Sequence, residues 1–112
     1  MVYPQCCQTV TVYRQQGDVI FRRVAENCYY RYGDEEKSAP EGIRSVRKFL
    51  LIQPGAEEIR PGDRIYEGVG PEVTAAEWDG FLPCSVPGLS VVAYANPWHW
   101  EGQICHYEAG RK

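Results

Sequence analysis

The sequence lacks a basic excess: 12 Lys and Arg stand against 15 Asp and Glu, a formal net charge of −3. Compact nucleic-acid binders draw most of their affinity from neutralising phosphates, so this balance argues against sequence-specific DNA or RNA binding. The basic clusters in FRRVAENCYYR and RSVRK each have acidic neighbours. The opening MVYPQCCQTV has neither a basic leader nor an apolar run of signal length, and no stretch approaches membrane-spanning length. The expectation is a chain without membrane contact, made and kept in a reducing compartment. There is no CxxC pair among the five Cys, an odd number with Cys6 and Cys7 adjacent. That usage suits no compact disulfide framework and predicts free thiols. No Gly-rich phosphate loop is present either, because GVGP has neither the Lys nor the helix start that would make it one.

What is there fits one small domain. A chain of 112 residues should bury roughly 65% of the surface its unfolded form exposes, enough for one core without a metal or disulfide staple. Eleven Gly and eight Pro, spread along the chain, suggest many short elements joined by tight turns. In QTVTVYR, Val10 and Val12 alternate with Thr9, Thr11 and Tyr13, the period of a half-buried strand. QQGD reads as a turn. VIFRRVAENCYYRY follows as a strand whose apolar row, Val24, Cys28, Tyr30 and Tyr32, is interrupted by Glu26, so a bulge or change of facing is expected there. GDEEKSAPEG reads as an exposed loop. The run Phe49, Leu50, Leu51, Ile52, stopped by Pro54-Gly55, reads as a strand covered on both faces. Pro61-Gly62 fits the centre of a type II turn before the strand DRIYEGV. Thr74 and Glu77 stand at capping-box spacing, which predicts one short helix over 74–82 before Gly80 and Pro83 stop it. GLSVVAYAN and WEGQICHYEAG supply the last strands. The expected architecture is all-β: one domain over 1–112, a small, partly open β-barrel of about six strands with one short helix, and a flexible lead-in over 1–8.

The densest chemistry lies in ANPWHWEGQICHYEAG, which holds two Trp, both His, a Cys and a Tyr. A zinc site would need His99, Cys105, His106 and Cys84, yet zinc ligands usually come as close pairs. His99 and His106 are too far apart for such a pair, and the adjacent Cys105 and His106 should point to opposite strand faces. The same adjacency disfavours a Cys105–His106 nucleophile, and Cys84 with His99 would need an unsignalled tertiary meeting. Glu35-Glu36 and Glu57-Glu58 read as solvated surface. Neither a metal, a cofactor nor catalysis is expected. Trp98, His99, Trp100 and Tyr107 are instead candidate protein-interface residues, since aromatic side chains on a rim are frequent anchors of contacts.

The order TVTVYR, NCYYRY, IRPGDRIYEG and HYEAGRK resembles the small minor capsid and head–tail joining proteins of tailed bacteriophages and Gram-positive prophages. Those proteins pair a TVTLY-like first strand with an aromatic second one, a PGD turn before a short helical segment, and an aromatic closing strand. Here Tyr107 stands where a Trp is frequent, and NPWHWEG replaces a more basic stretch. The resemblance implies a virion structural protein made in the host cytoplasm. It would be a head-closure or connector subunit forming a homo-oligomeric ring, with portal or adaptor and tail proteins as partners and non-specific contact with packaged DNA. The alternative reading is a small bacterial β-barrel binding module that grips a protein or ligand through the NPWHW rim.

Overall fold

The computed structural model describes residues 7–39, 42–83 and 85–111, and side chains throughout them except at 32–39 and 42–47. Strands account for 59% of the chain and, among the described residues, no helix reaches seven residues, so the fold is all-β. The strands are β1 (Gln8–Gln16), β2 (Val19–Ala39), β3 (Gly42–Pro54), β4 (Arg64–Glu67), β5 (Leu89–Val91), β6 (Tyr94–Trp100) and β7 (Gln103–Arg111). They form one antiparallel sheet in the order β5-β4-β1-β2-β3-β7-β6. Residues 1–6 of the expected lead-in lie outside the described residues, and Gln8 already belongs to β1.

The sheet is not closed, which corrects the barrel expectation. Closure would need hydrogen bonds between the two edge strands, β5 and β6. These follow one another in the chain, joined by Val92 and Ala93. Val92 N–H donates to the Asp63 carbonyl at 2.8 Å, and Ala93 N–H donates to Gly110 at 2.9 Å. The chain thus steps from one edge to the other, and a covalent link stands where a barrel would have a ladder.

The β1–β2 hairpin turns at Gly17, whose φ of 60° suits the first central position of a type II′ turn. The disturbance expected near Glu26 is a bulge. The β1–β2 register shifts between Gln8 and Val10, and Asn27 takes a φ of 58°. The extra residue changes the facing of β2: Ala25 is buried before it, Cys28 and Tyr30 after it. Val24 consequently turns outward at 38% exposure and leaves the apolar row the sequence suggested. Up to the bulge β2 pairs with β1, and beyond it with β3, so this one strand joins two half-sheets. The main core gathers Val10, Val12, Cys28, Tyr30, Leu51, Ile65, Tyr107 and Ala109 from both halves. The Tyr30 hydroxyl lies 2.9 Å from Ser90 Oγ, tying β2 to β5.

The remaining expectations fare unevenly. Most of the segment read as an exposed loop is strand: β2 and β3 continue in register from Tyr29–Ile52 to Ala39–Gly42, and residues 40 and 41 lie outside the described residues. In the Phe49–Ile52 run only Phe49 and Leu51 are buried, while Leu50 and Ile52 are half-buried, because β3 has just one covered face. The helix shrinks to a single 3₁₀ turn, Trp78–Gly80. The Glu77 carboxylate does reach back to Thr74 N–H at 3.2 Å, but Glu77 N–H donates to the Thr74 carbonyl and not to its hydroxyl. In 3₁₀ geometry side chains three apart eclipse, which sends both Trp78 and Phe81 into a second core with Tyr13 and Leu89.

Candidate functional site

The β6–β7 hairpin carries three of the four aromatic candidates to the surface. Its turn is Glu101-Gly102, with φ of 51° and 79°, the pair of positive angles that a type I′ hairpin requires. A register shift between Trp98 and His99 leaves Cys105 as the extra residue of β7. Trp98 is 53% and Trp100 62% exposed, and His99 is exposed between them. Tyr107 is different: at 7% exposure it belongs to the main core. A side chain that deep cannot meet a partner, so Tyr107 leaves the interface set.

Trp98 is held, not loose. Its ring stacks on His106 at 5.9 Å between centroids and 15° between planes, and its Nε1 donates to Glu108 Oε2 at 3.1 Å. A large ring fixed in this way loses little further freedom on contact, which favours it as an anchor. Around it lies a broader face that the sequence did not reveal. The registers place His106 opposite Pro54, Ile52 between Glu108 and Tyr29, and Gly110 between Leu50 and Tyr94. Tyr29, Leu50, Ile52, Pro54 and Tyr94 are all half-buried, so a partly apolar row crosses four strands beneath Trp98. The only hint in the sequence was the unbroken Phe49–Ile52 run, which supplies both a core row and an outer row.

The argument that adjacent Cys105 and His106 must face apart weakens at a bulge, where alternation is interrupted. Even so, among the described residues no three His, Cys, Asp or Glu side chains converge as metal ligands would. Cys84 lies outside the described residues. Cys7 and Cys105 are free thiols, and Cys28 is fully buried. No helix among the described residues is long and apolar enough to cross a membrane.

The polar motifs are absorbed by construction. Pro61-Gly62 forms the expected turn: Gly62 has φ 92° and Asp63 N–H donates to the Arg60 carbonyl at 3.1 Å. Asp63, 3% exposed, accepts from Arg14 Nε at 2.9 Å, from Arg14 Nη2 at 2.8 Å and from Arg60 N–H at 2.9 Å. This joins the TVTVYR and PGD motifs in one bidentate pair, and the Asp63 carboxylate holds Arg14 above its ordinary pKa. GVGP is clamped to the sheet. Thr11 Oγ1 donates to Gly68 and accepts from Gly70 N–H, both at 2.8 Å. Tyr13 donates to Pro71 at 2.6 Å, and the Arg22 guanidinium donates to Gly70.

A cleft of about 330 Å³ is lined by Val12, Arg14, Phe21, Arg22 and Arg23. Its guanidiniums are already engaged, Arg23 with Gln53 at 2.5 Å and with the Glu58 carbonyl at 3.2 Å. Burial pushes Arg23 below its ordinary pKa. Arg14 and Arg23 brace the 57–63 segment and Arg22 braces Gly70, so these cations are taken up inside the protein.

The chain matches no family model, no curated protein and no solved structure.

Proposed function

We propose that the chain is a non-catalytic structural subunit of a tailed-phage or prophage virion. In this reading it is a head-closure or connector protein that works by assembling into a ring at the neck, between portal and tail. The observation that carries the assembly reading is the fixed, exposed pair Trp98 and Trp100 on edge strand β6, bordering the half-buried outer face of Tyr29, Leu50 and Ile52. An open edge invites another chain, and Pro97 within β6 limits indiscriminate pairing along it. The virion assignment rests on the sequence resemblance, whose TVTVYR and PGD motifs meet in the Arg14–Asp63 pair. Localisation to the virion and contact with packaged DNA follow from the same resemblance.

The test is assembly. Mixed with its cognate portal, the chain should add ring-shaped density at the neck, and Trp98→Ala with Trp100→Ala should abolish it. Infectious, DNA-filled, tailed particles formed without the gene would overturn the connector role. The alternative, a binding module gripping a partner through NPWHW, uses the same residues but gives a discrete complex and no ring.

A further inference from the structure

The outer part of the β2–β3 hairpin forms an arm whose two edges meet no further strand among the described residues. The ladder with β1 ends at Cys28, and β7 pairs with β3 only from Phe49 onward. Beyond these limits, residues 33–39 pair with residues 42–48 and, among the described residues, with no other strand. Among the described residues, no strand lies against either outer edge over about 23 Å.

Charge is divided between these edges. GDEEKSA, residues 33–39, has Asp34, Glu35 and Glu36 against Lys37, a net −2. GIRSVRK, residues 42–48, has Arg44, Arg47 and Lys48 and no acid, a net +3. Charge on an edge strand is a common guard against unwanted pairing. A guard works best with one sign on both edges, so that any two copies repel. One acidic and one basic edge do the reverse: they make the arm complementary to a copy of itself.

We propose that the arm docks a second copy of this chain, the acidic β2 edge of one arm pairing antiparallel with the basic β3 edge of the next. The direction follows from the hairpin. Because β2 and β3 are antiparallel, a second arm set alongside in the same orientation presents its β2 antiparallel to the first copy's β3. Each copy uses both edges, so the contact is head-to-tail and closes into a ring or continues as a filament. A lone two-stranded hairpin is marginal in water, and neighbouring arms supply the missing strands. The inference rests on the reading of the chain as an assembly subunit, and adds where copies touch and with what polarity.

A charge swap tests it on the whole chain. Asp34→Arg, Glu35→Lys, Arg44→Glu, Arg47→Asp and Lys48→Glu turn the net charges of −2 and +3 into +2 and −3 and keep positions 34 and 47, which are opposite in register, oppositely charged. Isotope-labelled wild type and unlabelled swap, mixed in equal amounts, are followed by native mass spectrometry and sedimentation. Each should associate with itself, while mixed contacts should fall about tenfold below random, since like charges then face each other. Free mixing of the two in otherwise normal assemblies overturns arm pairing and leaves the assembly reading standing. Wild type that stays monomeric at its highest soluble concentration overturns arm pairing too, and the portal experiment then judges the assembly reading separately. Should the swap misfold, wild type alone decides: self-association must weaken as salt rises, and indifference to salt overturns the proposal.

Discussion

The two half-sheets share a core but differ in what lies over their other face. In the half built from β5, β4, β1 and the first part of β2, the strands β1, β4 and β5 pack on both faces, while β2 leaves Phe21 and Val24 exposed. Val10, Val12 and Ile65 point into the main core, while Tyr13 and Leu89 pack against Trp78 and Phe81 of the 69–88 segment. Hydrogen bonds hold that cover down: Arg64 donates to the Trp78 and Phe81 carbonyls at 2.5 and 2.7 Å, and its guanidinium lies 3.7 Å from the Trp78 ring. In the half built from the rest of β2, β3, β7 and β6, Leu51, Tyr107 and Ala109 are buried, whereas Leu50, Ile52 and Tyr94 on the opposite face remain half-exposed. The difference separates scaffold from surface. A sheet clamped on both faces can hold its shape, and that frees the other half to present an apolar face, an open edge and two exposed Trp.

If that division is right, substitutions should be far more damaging on the covered side. Tyr13→Ala removes a fully buried ring and the bond to Pro71, and should destabilise by about 3–5 kcal/mol. Tyr29→Ala, on the open face, should stay below about 1 kcal/mol. Denaturant melts of the two variants check the contrast, and equal losses would break it.

Arg14→Leu sharpens the picture at the joint between motifs. It leaves Asp63 buried with, among the described residues, the Arg60 N–H as its remaining donor. Breaking a fully buried pair costs about 3–5 kcal/mol, and the partial exposure of Arg14 lowers the expected loss to about 2–3 kcal/mol by the same melts.

A smaller effect should appear with alkali. Burial raises the Tyr13 pKa above the ordinary value of 10.0. The folded pKa exceeds the unfolded one, so the stability Tyr13 contributes is complete below about pH 10 and is lost as pH rises through the folded value. Spectrophotometric titration should find one phenol ionising late, together with unfolding, and Tyr13→Phe should remove that late phase.

These contrasts also show how much of the fold was legible. Turn chemistry was the plainest signal: QQGD, the bulge after Glu26 and Pro61-Gly62 all read correctly, because local backbone demands select residues locally. Covering was not legible. Alternation in β1 suggested one buried face, yet Thr11 is fully buried because the distant GVGP loop satisfies its hydroxyl. The apolar run in β3 suggested two buried faces, yet no described strand or turn buries Leu50 and Ile52. Whether a face is covered depends on segments far away in the chain, and periodicity carries no record of them. The same limit explains the site: exposed Trp98 and Trp100 stood out by composition, while the burial of Tyr107 and the outer row around Ile52 depended on pairing register.

The smallest expected change in stability tests the function most directly. Trp98→Ala and Trp100→Ala remove large rings, as Trp78→Ala does, but from the uncovered half. Trp78 is 5% exposed, and its loss should cost about 3–5 kcal/mol. Trp100 is 62% exposed and should cost within about 0.5 kcal/mol. Trp98 should cost slightly more, below about 1 kcal/mol, because its stack on His106 and bond to Glu108 are also lost. A free chain therefore gains little from keeping two such rings in water. A bound chain gains much more, since each ring would bury its exposed area against a partner. Paired measurements separate the cases: unchanged melting with lost neck assembly places the value of both rings in contact with a partner. A loss of stability comparable to that of Trp78→Ala would instead make them parts of the scaffold and dissolve the distinction between the two half-sheets.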